Sequence, residues 1–444
     1  MDTSYLYSYN AERYQKLAER KLPCREKLNT TEVEQGYLLP NRFAKNRLFG
    51  CGGVLDAEKN YVKASEMNAY AKYAVPVTAQ DEKEIYLGEG YAIDDNKVEY
   101  LDEEIIYLGY INNHWGHFLI DCSTRLYYYL EHMDENHKYA FLVNENEDYQ
   151  AIAPIRRFFE LLGIAECLIF IHKVTKCKKV IIPEQGYMIN AYYSKQFLHV
   201  FERVAESVDC SRYPSYEKVY YSRNQFRKAK GTEIGENILL DLFSKNGFKI
   251  ISPEQLTLDE QIAVVRNTKL LCGIVGTLGH NMLFAKPEQH MILVNKTHNI
   301  NVAQMDINKM KNLDMTYIDS YLAKFPSLIG NGPFLITYSE MLNQYVESHN
   351  WKKPAEDVIS ETVLKRNLQE YEEMYRSRNL KNLRLVYEKN PDRFDYFAPD
   401  HLLELEMRFY HLEHPATMRE KIFYQYNRLK RAFRRIVKLS LIHI

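Results

Sequence analysis

Several features that would classify this chain of 444 residues at sight are missing from it. Its seven cysteines (Cys24, Cys51, Cys122, Cys167, Cys177, Cys210 and Cys272) are odd in number, scattered and without CxxC spacing, which argues against a disulfide framework and a zinc site. They read as reduced, structural thiols. No stretch approaches the roughly 20 apolar residues that span a bilayer, and the start, MDTSYLYSYNAERYQK, has no basic region followed by an apolar run. The expectation is a cytoplasmic protein. Formal net charge is -1, so the overall balance points to no nucleic acid partner and any charge-driven binding must be local. Repeats and low-complexity segments are absent too.

What is present fits a folded globular chain, with 46% hydrophobic and 26% charged residues. The length favours two packed α/β domains plus an extra element. The 36 tyrosines and 20 phenylalanines could stack on a ligand, although core packing is the commoner use of such rings.

Residues 1–100 mix a charged, helical start with short extended runs and turn signals such as Gly50-Cys51-Gly52-Gly53, an irregular β-rich lead-in. From Ile105-Ile106-Tyr107-Leu108 the pattern becomes strand, loop and a long amphipathic helix from about Gly116 to Met133. Strands at Tyr139–Val143, Cys167–Ile171 and Lys179–Ile182, with a helix at 151–162, continue the alternation and predict a parallel sheet over 101–214. A second series spans 215–350. Its strands are Val219–Ser222, Phe248–Ile251, Leu270–Ile274 and Met291–Val294, and its helices Glu233–Asn246 and Leu258–Asn267. Residues 351–444 read as helical throughout, at 359–383, 400–411 and 418–441.

Three stretches could carry chemistry. In the first, Leu270 to Phe284, a buried strand passes through Gly276, Thr277 and Gly279 into a helix bearing His280 and Asn281. Glycines let a phosphate approach the backbone, and free N–H groups at a helix start attract its charge; the same glycines could serve the turn alone. In the second, Arg223 follows the strand Val219–Ser222 at its carboxyl end, with Arg227, Lys228 and Lys230 close behind. That cluster could neutralise a diphosphate or be a solvated basic loop. Glu236, on the next helix, could reach a nucleoside hydroxyl. The third stretch is Gly116-His117-Phe118-Leu119-Ile120-Asp121, followed by Arg125. His117 and Asp121 lie four apart, as do Asp121 and Arg125, so one helical face can present a base, or simply an intrahelical pair.

Taken together and in this order, Gly116 through Asp121, Ser222-Arg223 and Gly276 through Asn281 resemble the motifs of glycosyltransferase family 61. The run from Ile251 to Ile262 resembles the family's linking segment. The likeness covers roughly residues 100–296. It implies a GT-B-like fold, two Rossmann-like domains facing a cleft, with a helical C-terminal extension. It also implies an inverting mechanism needing no metal or other cofactor, in keeping with the lack of a convincing D-x-D motif. The implied partners are a nucleotide-sugar donor and a glycan or lipid-linked glycan acceptor, in bacterial capsule or surface polysaccharide assembly. Donor contacts would come from Arg223, Lys230, Glu236, Gly276, Thr277, Gly279, His280 and Asn281, with His117 or Asp121 as catalytic base. Two departures stand out: the family's Asn-Glu pair is Gly235-Glu236 here, and the glutamate often found after the last strand is missing from Ile292-Leu293-Val294-Asn295.

Near the end, Arg419, Lys421, Arg428, Lys430, Arg431, Arg434, Arg435 and Lys438 face a single acid, Glu420, and alternate with apolar residues. Such a helix can lie on an anionic membrane surface, making the protein peripheral at the inner face of the plasma membrane, or it can pack on the core. Two rival classes remain. One is a non-catalytic, membrane-docked polysaccharide assembly or glycan-binding protein that keeps the fold. The other is a dinucleotide-dependent oxidoreductase, disfavoured because no GxGxxG opens either half.

Overall fold

Consecutive residues of a strand point to opposite faces, so an unbroken apolar run must be covered on both sides. In the computed structural model, which describes residues 5–43, 50–67, 93–111, 113–143, 153–224, 232–322 and 332–375, the run Ile105-Ile106-Tyr107-Leu108 lies in the strand Glu99–Tyr110. Ile106 and Leu108 enter one apolar core, Ile105 and Tyr107 another. Parallel neighbours flank this strand, Lys138–Leu142 and then Leu168–Ile171 on one side, Thr175–Pro183 on the other. Beyond Thr175–Pro183 the sheet turns antiparallel, taking in Thr30–Glu34, Tyr37–Phe43 and Gly50–Leu55 from the lead-in.

The second sheet is parallel, in the order Leu6–Tyr7, Asp314–Asp319, His290–Asn295, Thr268–Ile274, Tyr216–Tyr221, Lys249–Ile251. Tyr216–Tyr221 pairs with its successor Lys249–Ile251 on one side and with Thr268–Ile274 on the other. The winding reverses there, which opens a crevice outside the carboxyl ends of Tyr216–Tyr221 and Thr268–Ile274, the place where open α/β sheets bind ligands. Tyr221 is in register with Gly273, so Arg223 and Gly276 follow on the two lips of that crevice.

A continuous apolar core lies between the sheets. The helices Ala153–Leu162 and Lys195–Glu206 bring Phe158 and Phe201 against Phe284, with ring centroids 6.3 and 5.7 Å away. Polar clamps reinforce the join. Arg157 holds Asp259 through two 2.8 Å bonds, Glu202 pairs with Arg266 and Lys311, and the buried Asp306 accepts from Tyr187 Oη at 3.0 Å, Asn190 N at 2.9 Å and Arg20. Residues 1–367 accordingly form one compact unit; residues 368–444 form a second, described only through Tyr375 at the end of the helix Glu361–Tyr375. The basic segment 419–438 and the expected helices at 400–411 and 418–441 lie outside the described residues.

Two expected helices take a different course. Instead of one helix from Gly116 to Met133, the chain forms Trp115–Ile120, a 3-10 turn Cys122–Arg125 and the short helix Tyr127–Glu131. Ser123 Oγ donates to Leu119 O at 2.6 Å and Thr124 Oγ1 to Asp121 O at 3.1 Å, so hydroxyls compete for the carbonyls near the break. The helix expected from Glu233 starts at Asn237, because Glu233–Ile234 is drawn into a parallel pairing with Phe334–Leu335.

Candidate functional site

His117 Nδ1 lies 2.7 Å from Asp121 Oδ2, one helical turn away. Asp121 ends the helix Trp115–Ile120 and is buried, while His117 keeps 28% of its side chain exposed. A buried carboxylate bonded to one ring nitrogen fixes the imidazole's tautomer and orientation, as in nucleophile-activating dyads. Arg125 takes no part in this face. It is buried, donating from Nε to Pro183 O at 2.7 Å and from Nη2 to Ala64 O and Glu66 O at 3.2 and 3.1 Å. The break after Ile120 carries it away from the spacing that a continuous helix predicts.

The dyad's helix packs on the glycine turn of the second sheet. A Cβ on Gly116 would stand 2.9 Å from Thr277 Oγ1 and 3.2 Å from His280 Nδ1, so only glycine lets the two segments approach this closely. Next to it, Trp115 Nε1 donates to Asn281 Oδ1 at 2.8 Å, and Asn281 Nδ2 donates to Gln261 Oε1 at 3.1 Å. One carboxamide therefore ties together the Gly116 stretch, the Gly276 stretch and the linking run 251–262, whose Gln261 lies in the helix Leu258–Asn267. That helix opens with a capping box of Thr257 and Glu260, and Gln261 is further held by Pro253 O and Leu256 O at 3.1 and 3.2 Å.

Gly276 has φ 154° and ψ -159°, a conformation that L side chains rarely adopt, and the position of its missing Cβ is open space. Gly279 is crowded instead, since a Cβ there would meet Gln304. His280, in the helix Thr277–His280, is buried with Nε2 3.2 Å from Asn301 Nδ2. Burial, and then the His117 imidazole beside it, push its pKa down to about 4, so His280 is neutral near pH 7.

On the other lip of the crevice Arg223 is held at two points. Its backbone N–H donates to Glu236 Oε1 at 2.8 Å, and its Nε lies 3.1 Å from Glu233 Oε1. Glu236 precedes the helix Asn237–Lys245, is buried, and accepts also from Tyr220 Oη at 3.1 Å. Burial pushes its carboxyl above the usual range. Lys296, the first residue past the strand His290–Asn295, closes on Glu233 Oε1 at 2.6 Å. Lys230, Arg227 and Lys228 lie outside the described residues.

Glu233 and Lys296 escape a reading by motif. A signal for Lys296 exists all the same, because it is the first charge after a strand buried from Met291 to Asn295, at the carboxyl end of the sheet where ligands are handled. Among the described residues no group of three or more His, Cys, Asp and Glu side chains could hold a metal ion, and no helix is long and apolar enough to cross a membrane.

In comparison with known families, residues 115–292 match the model described as Glycosyltransferase 61. The matched segment begins at Trp115 of the dyad's helix and ends within the strand His290–Asn295, so it takes in both lips of the crevice. No curated protein matches the chain.

Proposed function

We propose that this chain, a glycosyltransferase with a family 61 domain, transfers a sugar from a nucleoside diphosphate donor to a glycan or lipid-linked glycan acceptor with inversion and without a metal. The observation that carries this reading is the contact at Gly116, which sets the His117–Asp121 dyad against the turn at the crevice of the parallel sheet. In this account the two sheets act as the Rossmann-like halves of a GT-B arrangement. Arg223 and the backbone from Gly276 to Thr277 face the diphosphate, with Lys230 as a further cation by its place in the sequence, Gly279 and Asn281 brace that turn, and Glu236 anchors the main chain at Arg223.

His117 is the base and Asp121 its orienting partner, because the imidazole reaches solvent and the carboxylate does not. The acceptor hydroxyl gives its proton to His117 while its oxygen bonds to the anomeric carbon. The bond from that carbon to the diphosphate breaks, and its electron pair leaves as charge on the phosphate oxygens. Arg223, held at two points, would supply positive charge that a metal provides in other designs, and Lys230 of the same basic run would add to it. The basic segment 419–438 would bring the enzyme to an anionic membrane carrying a lipid-linked acceptor of capsule or surface polysaccharide. Deleting residues after 415 is expected to release it from anionic vesicles.

The test is release of nucleoside diphosphate from a panel of nucleotide sugars, with and without chelator. One nucleotide family turned over equally in both conditions supports the proposal. Turnover that needs an added divalent ion contradicts its metal-free part, and silence across the panel contradicts the donor class.

A further inference from the structure

Four charged groups meet at the carboxyl end of Tyr216–Tyr221, and three of them are almost wholly buried. The side chains of Lys296 and Glu233 are 3% and 4% exposed, that of Arg223 19%, and Glu236 is buried as well. Burying an ion pair brings little net stability, since desolvation of both partners offsets their attraction. Apolar residues of similar volume would serve the fold as well, so the place of the cluster is informative. It lies at the winding reversal, where a ligand is expected.

We propose that Glu233 and Lys296 are positioning residues for Arg223: Glu233 holds the guanidinium by its Nε edge at the crevice, and Lys296, bonded to the same carboxylate oxygen, keeps that hold charged. The inference rests on the diphosphate reading above and deepens it. Recognition of a diphosphate by arginine depends on a planar fork set in advance, because two parallel bonds must form together. Here both ends of Arg223 are set by acids, its main chain by Glu236 and its side chain by Glu233. Lys296 is in turn held by more than its charge, with Nζ 4.2 Å from the centre of the Phe334 ring. Phe334 is the register partner of Glu233 in the short pairing that pulls Glu233 out of the following helix. The irregularity at Glu233–Ile234 thus places the carboxylate between two cations.

The titratable and charged groups around Glu233 come from three places: Lys296 after the strand His290–Asn295, Arg223 and Tyr220 on and after the strand Tyr216–Tyr221, and Glu236 before the helix Asn237–Lys245, while Phe334 adds an uncharged ring. Burial pushes the Glu233 carboxyl up, but Lys296 and then Arg223 outweigh it and hold the group below the usual range. Without Lys296, burial is opposed by Arg223 with less help. Glu233 then takes up a proton at higher pH and loosens its hold on the guanidinium.

Calorimetry on the full chain tests this, with uridine, guanosine, adenosine, cytidine and thymidine diphosphates between pH 6 and pH 9. Relative to wild type at each pH, Glu233→Gln should bind about tenfold more weakly throughout, the loss of one charge-assisted contact. Lys296→Met should bind more weakly than wild type, with a deficit that grows as pH falls, and the double variant should bind no more weakly than Glu233→Gln. Wild-type affinity in both single variants across this range overturns the inference and leaves the diphosphate reading intact. If none of the five binds the wild type, the diphosphate reading falls and this inference falls with it. Glu233→Asp keeps the charge and shortens the reach; where a neutral variant fails to fold, unchanged affinity in Glu233→Asp overturns the inference and weakened affinity supports it.

Discussion

His117 keeps 28% of its side chain exposed, whereas Glu233 and Lys296, by the carboxyl ends of the strands of the neighbouring sheet, keep 4% and 3%. The two regions treat charge in opposite ways. On the first, the His117 imidazole reaches solvent and one buried carboxylate fixes its orientation, which suits a group that must exchange a proton. On the second, cations and acids neutralise one another out of water, which suits a group that must hold still while a charged ligand arrives. The join between them is made by small and neutral residues, Gly116, Thr277, Asn281 and the uncharged His280. In the mechanism proposed above, a charged His280 would oppose protonation of His117, so its burial would serve the dyad as well as the packing.

The largest effect expected is on the dyad. His117→Ala and Asp121→Asn should each lower turnover by about 10²–10⁴-fold, the usual worth of a positioned base, with donor affinity nearly unchanged. Steady-state rates beside calorimetric affinities check this. If both variants keep wild-type turnover, the contrast between the two regions is wrong.

The next effect is on stability. The unfolded chain gives His280 its ordinary pKa of 6.5, and the folded state about 4, so on acidification the unfolded chain takes up this proton first. The folded state keeps the full contribution above pH 6.5 and loses roughly 3 kcal/mol of it as pH falls toward 4. Denaturant midpoints between pH 7 and pH 4.5 should drop more steeply for wild type than for His280→Gln. Parallel curves would show that His280 does not sit in the environment described.

Gly116→Ala sharpens the comparison at the join. Its Cβ must displace Thr277 or His280, at a cost of about 1–3 kcal/mol in urea unfolding, and turnover should fall beyond the loss of folded protein because the dyad shifts against the crevice. Trp115→Phe is milder. It removes the bond to Asn281 while keeping the stacking on Phe118, with ring centroids 5.6 Å apart, and should cost about 1 kcal/mol of stability.

Much of the frame is legible in the residues themselves. Apolar runs such as Leu271-Cys272 and Met291-Ile292-Leu293-Val294 split alternately between two cores, as buried parallel strands must. The contact at Gly116 is foreshadowed by glycine in both motifs, though nothing in either motif says that they touch each other. Other features are set by partners far away in the chain. Leu6–Tyr7 completes the second sheet by pairing with Tyr317 and Ile318, an association that no local pattern reveals. Asp319 secures that strand, accepting from Ser8 Oγ and Tyr9 N at 2.8 Å each and from Asn295 Nδ2 at 2.7 Å. Glu233 leaves its helix for Phe334, a hundred residues on, and Arg125 leaves its expected face because hydroxyls interrupt the turn before it.

The most direct measurement of the central claim is a crossed one: donor affinity and donor turnover, side by side, in Asp121→Asn and Arg223→Ala. The account predicts that Asp121→Asn binds the nucleotide sugar as wild type does but turns it over at least a hundredfold more slowly. Arg223→Ala should lose affinity for the same donor by about tenfold or more. Equal loss of affinity in both variants, or full turnover in Asp121→Asn, would contradict the division of labour between the two sheets.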